Sequence, residues 1–274
     1  MMNLEHLALV VMALIFGACI GSFLNVVVYR LPAGLSLVHP PSRCPHCHHR
    51  LQPRDNIPVL GWILIGGKCR YCRSPVSWRY PAVEALTGLL FAGLASVLIA
   101  KVSLITLVFY GGFAAWLLAL ALIDLDTMTL PDQLTKSGLV LGLVFQLHQG
   151  IWQAQGTTNW AGALLFGITG MVTGLWLLDS IRIGARYFLG KEAMGGGDPK
   201  LAAMIGMWLG WQQVLLVVMV AAFLGMIGGL IQVIAQRKSL PFPFGPWLSL
   251  AALIVLVFGE GWIYQYLQWW GLTN

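Results

Sequence analysis

Charge is what this sequence has least of. Only 9% of its 274 residues are Asp, Glu, Lys or Arg, while 58% are hydrophobic. Ordinary soluble domains carry about 25% charge, so a polytopic membrane protein is expected in place of a soluble globular one. Twelve Trp and 32 Gly fit that class. A net charge of +6 raises nucleic acid as a partner. The basic residues fall in membrane-flanking loops and form no stripe on a soluble domain, so no nucleic acid is expected. G-x-S-x-G and H-E-x-x-H are both missing. Their absence removes the nucleophile-elbow hydrolases and the helix-borne zinc proteases. No G-x-G-x-x-G follows a strand, which removes a soluble Rossmann-type cofactor site. The first apolar run lacks a positive n-region and a small-x-small cleavage site, so it reads as a retained helix.

What is present is a series of long apolar runs. About twenty residues at 1.5 Å each cross a hydrocarbon core about 30 Å thick. Candidate spans lie at 7–28, 82–100, 103–123, 134–150, 160–180, 213–235 and 246–266. A shorter one, 200–210, is either a half-span or joins its neighbour through Gly210-Trp211. The expected fold is all-α with about eight transmembrane helices. Along the chain it divides into a first helix (1–28), a polar loop (29–81) and a membrane-embedded domain (82–274). Eight alternating spans put loops 29–81, 124–133, 181–199 and 236–245 on one side. Those loops and the adjoining helix ends hold every Lys and Arg except Lys101; Lys191, Arg237 and Lys238 are among them. Positive charge marks the cytoplasmic side, so both termini are expected in the periplasm.

Four of the five cysteines sit in the first polar loop as Cys44-Pro-His-Cys47 and Cys69-Arg-Tyr-Cys72, with 21 residues between the pairs. Paired C-x-x-C knuckles bring four thiolates onto one tetrahedral Zn²⁺. A loop this poor in aliphatics cannot build a sufficient core, and a metal supplies the missing folding energy. Two disulfides or a redox pair are the alternatives; a cytoplasmic position favours the metal. His46, His48 and His49 lie close by, but four cysteines complete a site without them. Cys19, inside the first span, reads as a small packing residue.

The acidic residues are few enough to weigh singly. The six aspartates are Asp55, Asp124, Asp126, Asp132, Asp179 and Asp198. Asp198 follows Gly195-Gly196-Gly197 and precedes Pro199-Lys200, so it reads as a helix N-cap after a loop free to take positive φ or to approach another chain closely. Asp124 and Asp126 are two apart, about 200° on a helix, so only one faces a common site. Asp124 is the deeper. Asp132 reads as a cap, and Asp179 has Arg182 three residues on as a partner. Ionisable groups at membrane depth are costly and mark function. Two carboxyl groups in one place share a proton, one serving as base toward water and the other as acid, as in aspartic proteases.

These residues carry a resemblance. Gly195-x-Gly197-Asp198, with Asp124 in Ile-Asp-Leu-Asp-Thr-Met-Thr-Leu-Pro-Asp, is similar to the type IV prepilin leader peptidases. Gly21-Ser-Phe-Leu-Asn25-Val-Val-Val-Tyr-Arg30-Leu-Pro32 resembles their N-terminal signature. The two C-x-x-C pairs, Arg79-Tyr-Pro-Ala-Val-Glu84 and Pro243-Phe-Gly-Pro246 extend the match over nearly the whole chain. The resemblance implies a bacterial inner-membrane aspartyl protease with Asp124 and Asp198 as its catalytic pair. It implies removal of the basic leader of type IV prepilins or type II secretion pseudopilins, after a glycine, on the cytoplasmic side. It further implies N-methylation of the new N-terminus with S-adenosylmethionine as donor. Gly195 and Gly197 are expected to let the substrate backbone approach. Asn25, Arg30 and Glu84 are candidates for the cofactor, against ordinary roles in helix–helix bonding, headgroup contact and first-turn charge. Other readings stay open: an ion-coupled transporter with a zinc regulatory loop, a non-catalytic scaffold, and a presenilin-like protease of other membrane substrates.

Overall fold

The structure is a computed structural model that describes residues 4–152, 159–190, 194–236 and 242–271. Lys191, Arg237 and Lys238, used above for orientation, lie outside the described residues. Among the described residues eight α-helices appear in order: α1 (Leu4–Arg30), α2 (Leu60–Leu64), α3 (Arg79–Leu98), α4 (Leu104–Thr127), α5 (Asp132–Trp152), α6 (Trp160–Leu189), α7 (Asp198–Gln236) and α8 (Gly245–Trp269). Among the described residues the only β pairing is two isolated bridges in the cysteine loop. Six helices, α1, α3, α4, α6, α7 and α8, are long and apolar enough to cross a membrane. The expected span at 134–150 is realised as α5, a helix of 21 residues that falls outside those six because Lys136, Gln146, His148 and Gln149 dilute its apolar run.

The chain forms two compact units, Met1–Ala115 and Trp116–Asn274, divided inside α4. In the first, α1 and α3 pack antiparallel through small residues. A Cβ at Gly21 would lie 2.7 Å from the Glu84 Cα, and one at Gly88 would lie 2.9 Å from the Leu14 carbonyl oxygen. Close backbone approach through small residues drives helix association in lipid, where the hydrophobic effect gives little.

In the second unit α6 and the start of α7 press backbone to backbone at Gly170 and Gly206, where neither position has room for a Cβ. α7 is not continuous. Gly210 has φ 80° and ψ 173°, a conformation open only to glycine. The break leaves carbonyls of the preceding turn without helical partners. Gln146, buried on α5, donates to two of them, Met207 O at 2.8 Å and Trp208 O at 3.3 Å. In a lipid interior such groups must find protein partners. Beyond Gly210 the chain turns back. Gln213 lies beside Gly259, and Gly228 beside Trp247, so the second segment runs antiparallel to α8. The run 200–210 is therefore a short inward segment and the run 213–235 its return.

Candidate functional site

Topology brings one end of each of four helices together: the C-terminal end of α4 and the N-terminal ends of α5, α7 and α8. Asp124 stands one turn before the end of α4. Its neighbour Asp126 is exposed while Asp124 is 5% exposed, as the two-residue separation requires. Asp198 opens α7 and is 6% exposed. The Gly197 carbonyl takes the first helical bond, from the Leu201 N–H at 3.0 Å. So Gly197 holds the cap position, and the expectation that Asp198 is the cap is corrected by one residue. The two buried carboxyl groups are within electrostatic reach of each other across 74 positions of sequence. Asp132 and Asp179 are elsewhere engaged. Lys200 reaches Asp132 at 2.5 Å and Lys136 reaches it at 3.3 Å, while Asp179 pairs with Arg182 at 2.7 Å.

Two glycine contacts define the site walls. The Gly245 N–H, at the start of α8, donates to Asp124 Oδ2 at 3.0 Å. A helix N-terminus has free N–H groups and a positive dipole end, both suited to a carboxylate. A Cβ at Gly245 would stand 2.6 Å from the same oxygen, so only glycine fits. Gly197 lies against Leu130, with a would-be Cβ 2.8 Å from the Leu130 Cβ. Gly195 is looser: its would-be Cβ lies 3.6 Å from Asp198 Oδ2. None of Gly195, Gly196 and Gly197 takes the left-handed φ that the triplet allowed. Gly197 serves close packing instead. Gly245 had no role in the sequence beyond its place in Pro243-Phe-Gly-Pro246, because nothing local says that a residue 121 positions away meets Asp124.

The cysteine loop forms a second cluster, in the first unit. Cys44, Cys47, Cys69 and Cys72 place their sulfurs within 4.8 Å of one another. The Cys44–Cys72 and Cys47–Cys69 separations are 3.7 and 3.9 Å. These exceed the roughly 2.05 Å of a disulfide. They match the roughly 3.8 Å between sulfurs set tetrahedrally at about 2.3 Å from one ion. The site can thus hold a metal ion. The two knuckles are built alike. Cys44 and Cys69 donate their N–H groups to His49 O and Ser74 O, and they accept from His48 N and Arg73 N. Those last two residues take positive φ of 57° and 60°. The Cys47 N–H turned toward the Cys44 thiol lowers its pKa against the opposing effect of burial, which favours the thiolate form that binds a metal. Asp55, buried, accepts from Arg70 at 2.5 Å and ties the loop between the knuckles.

Asn25, Arg30 and Glu84 are also in the first unit, each engaged with backbone. Asn25 Nδ2 donates to Tyr80 O at 3.1 Å. Arg30 donates to the carbonyls of Ser36, Leu37 and Pro40. Glu84 Oε2 accepts the Val59 N–H at 2.7 Å.

A family model described as the bacterial peptidase A24 N-terminal domain matches residues 15–98, and one described as the type IV leader peptidase family matches residues 111–230. A prepilin leader peptidase/N-methyltransferase of Aeromonas hydrophila is 38% identical over 95% of this chain and 92% of its own. The chain belongs to the type IV leader peptidase family. The prepilin leader peptidase/N-methyltransferase of Pseudomonas aeruginosa is 34% identical over 97% of this chain and 96% of its own. The type 4 prepilin-like proteins leader peptide-processing enzyme of Escherichia coli is 36% identical over 91% and 94%. No solved structure matches the chain. The gap between the two family matches, 99–110, falls close to the division between the two compact units.

Proposed function

We propose that this type IV leader peptidase family member is an aspartyl endopeptidase of the bacterial inner membrane, with Asp124 and Asp198 as its catalytic pair. It cuts the basic leader from type IV prepilins or type II secretion pseudopilins. The observation that carries the assignment is the burial of these two carboxyl groups, from two different helix ends, within each other's electrostatic field. Two buried carboxyl groups in one site do not both ionise readily, so one of the pair carries a proton while the other is free to act as base. One carboxylate takes a proton from the attacking water. The other carboxyl gives its proton to the substrate carbonyl oxygen as water adds to the carbon; when the C–N bond breaks, the proton taken from water goes to the leaving amine and a diol proton returns to the second carboxylate. Gly245 holds Asp124 Oδ2 as an acceptor throughout. Gly195 leaves the approach to Asp198 free of a side chain for the scissile strand, and Gly197 lets the loop pack against Leu130.

The basic loops point to the cytoplasmic face for both the site and the cysteine loop, with the termini opposite. A prepilin fits this arrangement: its apolar helix lies in the bilayer and its basic leader meets the cytoplasmic surface. Zn²⁺ suits the four thiolates, and held by Cys44, Cys47, Cys69 and Cys72 it supplies folding energy to a loop with little core. The relatives' names support N-methyltransfer as a second activity, with S-adenosylmethionine as donor. Asn25, Arg30 and Glu84 are the candidates to hold that cofactor, through the polar atoms left beside the backbone partner that each already bonds. No step is derived through it. The transporter reading gains nothing from the relatives.

The experiment is cleavage of a model prepilin in detergent by wild type, Asp124→Asn, Asp198→Asn and Asp126→Asn, with methyl transfer to pre-cleaved pilin followed in parallel. The first two variants are expected to lose cleavage and keep methylation, and Asp126→Asn to keep both. Cleavage by both folded site variants would overturn the aspartyl assignment.

A further inference from the structure

The cysteine loop carries an apolar face that no span accounts for. On α2, Leu60, Ile63 and Leu64 are 57%, 58% and 74% exposed. Positions i, i+3 and i+4 share one side of a helix. The opposite side is turned into the loop: Trp62 Nε1 donates to Val76 O at 3.0 Å, the Trp62 ring covers Gly67, and Gly61 abuts the Asp55 backbone. The helix carries no polar side chain: it turns Gly61 and Trp62 into the loop and its three aliphatic side chains outward.

Its depth is fixed by a hydrogen bond. The Val59 N–H, directly before α2, donates to Glu84 on α3. The entrance of α3 is marked by Trp78, Arg79 and Tyr80, and the end of α1 by Tyr29 and Arg30, all aromatic or basic; Trp78 is 73% and Tyr29 71% exposed. Aromatic and basic residues mark the headgroup level. Glu84 lies four residues further along α3 than Tyr80, about 6 Å toward the hydrocarbon at 1.5 Å per residue. Amphipathic segments lying in the membrane plane bury their apolar face to about 5–10 Å.

The attachment is maintained against strain. Val59 has φ 61° and ψ −54°, and the Leu60 N–H closes onto Pro58 O at 2.6 Å. This is a tight γ-turn of the rare positive-φ kind, costly for a β-branched residue. A strained turn held by a buried carboxylate on a membrane helix is a built connection.

We propose that α2 is a membrane-interface helix: Leu60, Ile63 and Leu64 insert into the same bilayer leaflet that α1 and α3 enter, and Glu84 sets their depth through Val59. The cysteine loop is thereby held flat on the membrane surface, where its basic residues meet anionic headgroups. The occupant of the face is lipid acyl chain.

The test uses the full chain carrying photoreactive benzoylphenylalanine at Ile63, Leu64 or, as control, Arg50, in nanodiscs of phosphatidylethanolamine and phosphatidylglycerol. After irradiation, mass spectrometry is expected to find acyl-chain adducts at Ile63 and Leu64 and none at Arg50. Adducts at 63 and 64 confined to protein, whether this chain, a second copy or added prepilin, overturn the proposal, as does their absence. In the Leu64 probe background, Glu84→Ala is expected to lose the lipid adduct and Glu84→Gln, whose amide oxygen still accepts, to retain it. Equal lipid adducts in both variants refute the depth-setting role of Glu84.

Discussion

Replacing Gly245 by Ala tests whether α8 positions the proposed catalytic pair. The added Cβ would stand 2.6 Å from Asp124 Oδ2 and 3.1 Å from its Cγ. Carbon–oxygen contacts settle at about 3.3–3.6 Å, so the carboxyl group must retreat by about 0.7 Å. A misplacement near 1 Å at a reacting group costs about 100-fold in rate. The same retreat stretches the Gly245 hydrogen bond, and a bond to a charged group contributes about 1.5–3 kcal/mol, or about 10- to 150-fold. Both figures describe one displacement and are not additive. A fall in kcat of about 10- to 100-fold is therefore expected, with KM little changed because no ground-state contact to substrate is removed. Gly261→Ala is the matched control, since Gly261 lies on the same helix with open space around it. The assay is steady-state cleavage of a model prepilin by purified, monodisperse protein at equal zinc content. A folded Gly245→Ala enzyme with wild-type kcat would falsify the positioning role. A rise in KM alone would move Gly245 from catalysis to substrate binding.

The remaining expectations concern the glycine loop and the cysteine cluster. Gly197→Ala should impair cleavage because its Cβ meets Leu130, and Leu130→Ala should restore part of the loss; Gly195→Ala, with ordinary contact at 3.6 Å, tests substrate approach alone. Wild-type cleavage rates in both glycine variants would end the proposed role of this loop. Metal analysis should find one zinc per chain, lost in Cys44→Ser and Cys69→Ser. Structural zinc contributes about 10–16 kcal/mol of apparent binding free energy in small domains, so its removal should open the loop to hydrogen exchange between residues 43 and 76. Unchanged exchange on chelation would remove the metal from the folding of the loop. Asp55 is held below the usual carboxylate range by the Arg70 guanidinium, against the opposing effect of burial. A depressed pKa gives stability that is present above the unfolded value of about 3.9 and fades as pH falls through the folded value. Asp55→Asn should therefore loosen the loop at pH 7, with the difference from wild type shrinking below about pH 4; an equal difference at all pH values would contradict the ion pair.

The sequence by itself determined the class, most of the spans and the four cysteines that cluster. Each is legible because its cause is local or set by the solvent. A bilayer of fixed thickness selects apolar runs of fixed length. Four thiolates in two short knuckles have one economical geometry. The two-residue separation of Asp124 and Asp126 turns one outward whatever the rest of the chain does. The Asp179–Arg182 pair needed only helical spacing.

What tertiary structure decided are the contacts between distant positions. The approach of Asp124 to Asp198 depends on α4 and α7 ending at the same level, which no run of residues encodes. Gly245 looks like any helix-opening glycine until α8 docks its N-terminus on Asp124. Gly210 turns α7 back because the return segment finds α8; the sequence marks Gly210-Trp211 as an end or a joint and leaves the direction of the chain beyond it open. Gln146 reads as an ordinary polar residue until the break at Gly210 leaves carbonyls for it to satisfy. Likewise α3 packs with α1, across the cysteine loop, where the sequence set its boundary at residue 82. The physical reason is common to all of these. Periodicity and composition report what one segment asks of its surroundings, and only packing determines which distant segment answers.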